Sequence, residues 1–117
     1  AGDTITRADA AALLRKQVDD EYAAAIRRCA GDVPMAQREF DAAVDLAYNI
    51  GWPKVCGSTM IRYFRQGNYP AGCHAIFLFD RLHGRKCSLP ENINRRDGCR
   101  GIMARRTKQY NLCMGIV

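Results

Sequence analysis

The sequence predicts an all-α fold in which about five helices pack around one buried central helix. The segment from Phe40 to Trp52 places apolar residues on nearly every side of a helix. Such a helix needs neighbours around most of its circumference. The flanking segments repeat apolar residues at intervals of three and four, which is typical of amphipathic helices. No segment is a convincing strand.

Length and composition favour one domain covering residues 1–117. A chain of 117 residues, 48% of them apolar, can bury a single core without a metal ion. No run approaches the roughly 18 uncharged apolar residues of a membrane span, so none is predicted. The first residues also lack the basic and apolar regions of a signal peptide.

The formal net charge is +6, and much of the excess lies near the C-terminus. The basic residues concerned are Arg95, Arg96, Arg100, Arg105, Arg106 and Lys108. A cluster of this kind can attract a polyanion such as nucleic acid or cell wall. It can equally be a solvated helix face, and both interpretations stay open.

Six cysteines are many for a domain of this size. Zinc ligands usually come in closely spaced pairs, whereas every gap between these cysteines is longer than ten residues. Disulfides in an oxidising compartment are therefore expected, and neither a metal nor another cofactor is predicted. Cys87–Cys99 is the favoured pair because it would close a local loop. The remaining candidates are Cys29, Cys56, Cys73 and Cys113.

The N-terminal half predicts two long helices. The first begins at a Thr4 or Thr6 cap, with Asp9 completing a capping box, and ends near Gly31. Its apolar stripe consists of Ala11, Leu14, Val18, Tyr22, Ala25 and Cys29. The central helix covers about residues 36–50, Gly51 and Pro53 end it, and Trp52 is expected to cover the core.

The C-terminal half predicts three more helices. Ser58 caps a short one that stops at Gly67, and Pro70 begins another whose apolar run continues to Gly84. Residues 84–98 are expected to form an ordered loop. The last helix begins near Gly101 and stops at Gly115.

In this order, the segments resemble the C-terminal lobe of phage-type lysozymes, the endolysins of glycoside hydrolase family 24. The resemblance covers nearly the whole chain, and two segments are jointly specific for it: Leu46-Ala47-Tyr48-Asn49-Ile50-Gly51 and Gly101-Ile102-Met103-Ala104-Arg105-Arg106. Supporting segments are Ile5-Thr6, Val33-Pro34-Met35, Phe40-Asp41-Ala42, Cys56, Ser58-Thr59-Met60, Gly67-Asn68-Tyr69, Tyr110, Leu112 and Cys113.

The resemblance implies a lysozyme-like helical lobe and hydrolysis of peptidoglycan in bacterial cell-wall lysis. The family's catalytic Glu, Asp and Thr precede the stretch that Ala1 to Thr6 resembles, so no catalytic residue is expected within the chain. The implied partners are peptidoglycan glycan strands and the N-terminal catalytic lobe, if that lobe is separate. A phage or prophage origin and an exported site of action, periplasmic or extracellular, are also implied.

The chain's own glutamates offer no substitute catalytic pair. Glycoside hydrolysis uses a protonated carboxyl group together with a second carboxylate. Glu21 and Glu39 are expected on polar helix faces, where nothing raises a carboxyl pKa. Glu91 lies in the loop beside Arg95 and Arg96, where an ionised carboxylate is expected.

The resemblance identifies Asn49, Arg105 and Arg106 as substrate-binding candidates. Asn49 would hydrogen bond to a sugar amide or hydroxyl group, and Arg105 is the favoured arginine for the acidic peptide stems of peptidoglycan. In the alternative, Asn49 only caps its helix. One arginine would then be a solvated surface residue, and the other would pair with Asp97 or Glu91.

Three functions remain open. The chain can be a lysozyme part that supplies half of the glycan cleft, or a non-catalytic module that binds peptidoglycan or protein. It can also be a basic nucleic-acid-binding domain. A helix-turn-helix places its recognition helix after a short turn, whereas a long loop precedes the last helix here. Nucleic acid is therefore not expected as a partner.

Overall fold

The structure, a computed structural model, describes residues 6–116 and confirms the all-α prediction. Its helices are α1 (Arg7–Ala30), α2 (Gln37–Ile50), α3 (Trp52–Cys56), α4 (Thr59–Arg65), α5 (Tyr69–His74) and α6 (Cys99–Met114). A 3₁₀ turn, Ala75–Leu78, follows α5, and the strands β1 (Arg81–Leu82) and β2 (Arg85–Lys86) form a small antiparallel hairpin. None of the helices within residues 6–116 is both long enough and apolar enough to cross a bilayer.

Helix α1 is packed only along its second half. Thr6 caps it as predicted, since its hydroxyl oxygen accepts a hydrogen bond from the Asp9 backbone at 3.0 Å. Thr4, the other candidate cap, lies outside the described residues. Ala25 and Ile26 are buried in the core, but the first half is exposed. The predicted apolar stripe is therefore wrong at its start, where Leu14 remains 61% exposed.

Helix α2 is the buried centre of the fold, as predicted. Ala42, Ala43, Leu46 and Ala47 are fully buried, and α2 packs most extensively against α6. Small alanine side chains allow neighbouring helices to approach closely. At its start, the Ala36 backbone N–H donates to Glu39 Oε1 at 2.7 Å. The expectation of a solvated Glu39 is therefore wrong, because this carboxylate is buried as a helix cap.

Gly51 ends α2 with a φ of 90°, a backbone conformation that favours glycine. Pro53 lies in the first turn of α3, where its missing N–H removes no helical hydrogen bond. It therefore prevents α2 from continuing and also begins a new helix. This extra helix explains why residues 6–116 form six α-helices rather than the predicted five. Trp52, which was expected to cover the core, is the first residue of α3 and is 39% exposed.

The predicted helix to Gly84 is wrong after Leu78, because the chain turns back as a hairpin. Arg81 pairs with Lys86, and Leu82 pairs with Arg85. The two connecting residues, His83 and Gly84, have φ values of 51° and 77°, as a two-residue hairpin turn requires. Buried Asp80 holds the chain that returns from the hairpin. Its backbone oxygen accepts a hydrogen bond from the Cys87 N–H at 2.8 Å, and its carboxylate accepts one from Ser88.

Three disulfides link the elements, which confirms that the cysteines are oxidised. The bridges are Cys29–Cys56, Cys73–Cys113 and Cys87–Cys99, and they leave no cysteine free. The first joins α1 to α3, and the second joins α5 to α6. The third is the favoured pair and fastens the loop to the start of α6. Each bridge restricts the unfolded chain and thereby stabilises the folded one.

Candidate functional site

An open groove of about 580 Å³ lies where the end of α2, the start of α3, the hairpin and α6 meet. Its polar lining consists of Tyr48, Asn49, Lys54, Arg81, Arg105 and Arg106, and Ile50 and Ile102 supply apolar surface. Tyr48 is fixed from outside the groove, because its hydroxyl donates to Asp19 and its ring stacks on Tyr22 of α1. No carboxylate from residues 6–116 lines this groove.

Arg106 forms the inner wall, and its guanidinium group is committed to internal hydrogen bonds. Its side chain is only 4% exposed. Nε donates to the backbone oxygen of Phe79 at 2.7 Å, and Nη1 donates to Asn49 at 3.0 Å and to Gln109 at 2.9 Å. Burial lowers the pKa of Arg106, the adjacent charge of Arg105 lowers it further, and Asp45 opposes both effects.

Gln109 lies behind Arg106 and connects α6 to α2. It is 2% exposed, and its Oε1 accepts the hydrogen bond from Arg106. Its Nε2 donates to Asp45 Oδ2 at 3.0 Å and to Asn49 Oδ1 at 2.8 Å. Asp45 and Asn49 are one helical turn apart, so a single amide group bridges two positions on the same face of α2.

The structure brings two of the three sequence-predicted site residues into direct contact. Asn49 accepts from both Arg106 and Gln109 through Oδ1, so this oxygen bonds to α6 rather than capping its own helix. Arg105 does not join this network. It lies exposed on the groove wall beside Arg106.

Arg106 does not pair with either of the acidic partners considered from the sequence. Asp97 instead binds Arg85 at 2.7 Å and Arg95 at 3.0 Å, and Glu91 is exposed. The hydrogen bond from Arg95, followed by that from Arg85, lowers the pKa of Asp97 to about 2. Two members of the C-terminal basic cluster are thus not available as free surface cations, because Arg95 pairs with Asp97 and Arg106 is buried. The argument for a nucleic-acid partner is weaker for that reason.

Sequence reasoning missed Asp45, Lys54, Arg81 and Gln109. Gln109 lies three residues after Arg106, and Asp45 lies four before Asn49, so helical spacing carried a signal for both. Lys54 and Arg81 had no such signal, because α3 and the hairpin were not predicted. Among residues 6–116, no three His, Cys, Asp or Glu side chains are grouped to hold a metal ion.

Comparison with known proteins identifies the family of this chain. The phage lysozyme family model matches residues 1–108. The endolysin of Acyrthosiphon pisum secondary endosymbiont phage 1 is 32% identical over 98 residues, which cover 81% of this chain and 65% of that protein. The endolysin of Salmonella phage P22 is 32% identical over 83 residues, covering 68% of this chain and 53% of that protein.

In these two matches, the chain spans between about half and two thirds of each relative's length. The family model covers far more than half of the chain itself. On that match, the chain belongs to the phage lysozyme family.

Proposed function

We propose that this chain is the substrate-holding part of a phage lysozyme that hydrolyses peptidoglycan during lysis of the bacterial cell wall. The bond cleaved would join N-acetylmuramic acid to N-acetylglucosamine. The observation that carries the proposal is the contact between Asn49 and Arg106, 57 positions apart, at the wall of an open groove in a chain of this family.

The three candidate residues would have different roles in this groove. Asn49 is exposed and would hydrogen bond to the glycan strand. Arg105 is also exposed, and its planar guanidinium group suits the carboxylates of the peptide stems. Arg106 is buried and would act mainly by holding Asn49 in place.

We propose further that the catalytic Glu, Asp and Thr belong to a segment upstream of residue 1. Hydrolysis of a glycosidic bond uses two carboxyl groups, and the described lining of this groove supplies amide and cationic groups instead. The first half of α1 supports the proposal as well. It presents Leu13 and Leu14 at 50% and 61% exposure, a surface that a packed catalytic lobe would cover.

The site of action would be exported, periplasmic or extracellular, because three disulfides are typical of proteins that fold in an oxidising compartment. A second candidate function is a non-catalytic module that binds peptidoglycan. The groove favours it equally, because every charged side chain in the described lining is basic and suits binding.

Retention of the purified chain on insoluble peptidoglycan tests the binding role that both functions share. We expect retention in low salt, and we expect Arg105→Gln to reduce it about threefold to tenfold through the lost charged contact. Arg62→Gln is the matched control, since Arg62 is an exposed arginine on α4, outside the groove. A chain that passes through unretained would refute the proposed function.

A further inference from the structure

We propose that a pocket formed by α4, α5, the 3₁₀ turn and β2 is a second glycan-binding site, which binds an uncharged N-acetylhexosamine unit of the substrate strand. The inference rests on the proposed function, because it names a further contact with the same polymer. The lining of this α4–α5 pocket includes Thr59, Tyr63, His74, Phe77, Leu78 and Lys86. Within residues 6–116 it shares no lining residue with the groove.

The α4–α5 pocket is large enough for a sugar. Its volume is about 510 Å³. Small-molecule sites in proteins usually measure roughly 300 to 1,000 Å³ and are lined mainly by apolar and aromatic side chains with a few polar groups. Size alone is therefore compatible with a ligand of one or two sugar units, and the chemistry of the lining decides which class of ligand fits.

Part of the lining is aromatic and apolar. Phe77 and Tyr63 are half-buried, and Leu78 is 59% exposed although it is a large apolar residue. The Phe77 ring is held by two neighbours, with centroid distances of 5.1 Å to Tyr110 and 5.7 Å to His74. A ligand that covers this surface removes apolar area from water, which favours a ligand with an apolar face.

The same pocket presents polar side chains that are not engaged within the fold. Thr59, Tyr63, His74 and Lys86 line it, and their side chains make no hydrogen bond to any other of residues 6–116. A hydroxyl group both donates and accepts, as a neutral imidazole does, whereas an ammonium group only donates. Any backbone carbonyl at the pocket would add an acceptor. Donors and acceptors are thus available together.

This combination favours an uncharged, amphipathic ligand. A purely apolar ligand would take the polar groups out of water without replacing their hydrogen bonds. A polyanion would meet Lys86 as the one Lys or Arg in the described lining, and a polycation would meet no carboxylate there. An N-acetylhexosamine has an apolar ring face and an acetyl methyl group. Its hydroxyl and amide groups both donate and accept.

The α4–α5 pocket adjoins the groove across the hairpin. Arg81 lines the groove, and Lys86, its partner in the antiparallel ladder, lines the pocket. Partners in such a ladder have Cα atoms roughly 4.5 to 5.5 Å apart, so the two sites lie little more than the width of the hairpin from each other. One glycan strand can therefore occupy both, and the second contact strengthens binding because it is intramolecular.

Titration of the chain with a trimer of N-acetylglucosamine, followed by amide NMR spectra, tests the site. This probe carries no carboxylate and no peptide, so it reports recognition of the sugar alone. We expect the backbone amides of Ala71, Phe77, Leu78 and Ser88 to shift together and to saturate. A glucose trimer, which lacks the acetamido group, should bind at least about threefold more weakly. Equal affinity for the two trimers would contradict the assignment to an N-acetylhexosamine.

Substitutions then test the lining. Phe77→Leu removes the aromatic face, Thr59→Val removes a hydroxyl group, and Leu78→Asp places a charge on the apolar surface. Each should weaken binding of the N-acetylglucosamine trimer about threefold to tenfold. The matched controls are Thr107→Val on α6 and Leu13→Asp on α1, both exposed and outside the pocket, and they should leave the affinity unchanged.

Circular dichroism verifies that each variant is folded. If Phe77→Leu does not fold, Leu78→Asp decides the question, because a side chain that is 59% exposed contributes little to the core.

Shifts confined to the groove would overturn the α4–α5 pocket, as would an affinity that Leu78→Asp leaves unchanged. If the chain is still retained on insoluble peptidoglycan in that case, the proposed function stands and only the pocket fails. If the chain is not retained and the trimer shifts no amide, both fail.

Discussion

Gln109 Nε2 donates to Asn49 Oδ1 over 2.8 Å, although the two residues lie 60 positions apart in the chain. This bond joins the last helix to the end of the central helix. Arg106 contacts both residues and also holds the turn at Phe79. The inner wall of the groove, formed by Arg106 and Asn49, is therefore part of one hydrogen-bonded network that draws on three parts of the fold.

Removing the guanidinium group of Arg106 should destabilise the chain. Arg106→Met would leave the oxygens of Phe79 and Gln109 without their donor in a buried site, at a cost of about 2 to 4 kcal/mol. Urea denaturation measures this cost. Arg105→Met, next to it but exposed, should change the free energy of unfolding by less than about 0.5 kcal/mol. Equal effects of the two substitutions would contradict the buried network.

Asp97 should make the chain acid-sensitive in a defined range. Its pKa falls from 3.8 to about 2 in the folded chain, so its ionised form is favoured by folding. The resulting stability is present above pH 3.8 and is lost as the pH falls towards about 2.

Thermal melting of the chain and of its Asp97→Asn variant across this pH range isolates the contribution of the Asp97 carboxylate to stability. The difference between the two proteins should shrink below pH 3.8. High salt should also reduce it, because the ion pairs with Arg85 and Arg95 are partly exposed. A difference that does not change with pH would exclude the proposed role of Asp97.

Two glycines should respond in opposite directions to alanine. A Cβ at Gly72 would lie 2.4 Å from Phe64 Cε1, so Gly72→Ala should cost about 1 to 3 kcal/mol by forcing α4 and α5 apart. A Cβ at Gly101 meets nothing closer than 3.7 Å, and alanine favours the helix there by about 0.5 to 1 kcal/mol. Melting temperatures of both variants provide the test, and a stabilised Gly72→Ala variant would refute the packing described.

The three disulfides should differ in their access to reductant. Cys29 and Cys56 are partly exposed, whereas the other four cysteines are at most 1% exposed. Brief treatment of the folded chain with a small thiol, followed by alkylation and peptide mass analysis, should label Cys29 and Cys56 first. Simultaneous labelling of all six would contradict this order, and six free thiols before reduction would contradict the oxidised fold.

The sequence carried enough information for the helical class, the Thr6 cap and the central helix, because burial of α2 is encoded in local apolar spacing. The predicted Ser58 cap is wrong in its side chain, since the Ser58 hydroxyl donates to the Val55 backbone oxygen instead. Family resemblance named Asn49, Arg105 and Arg106 as candidates, and the structure brings Asn49 and Arg106 into contact.

Sequence-based prediction failed where distant residues decide the structure. The apolar run before Gly84 suggests a helix, but Asp80 and Ser88 turn the chain back. The pairing of Gln109 with Asn49 likewise depends on the approach of α6 to α2.

In the function that we propose, this chain holds the substrate while a catalytic segment upstream of residue 1 cleaves it. Clearing of permeabilised Gram-negative cells separates the two roles when the 117-residue chain is compared with a version extended by the residues encoded upstream. The extended protein should clear the cells, and the chain alone should bind without clearing them. Clearing by the chain alone at a comparable rate would show that the chain does not need an upstream catalytic segment.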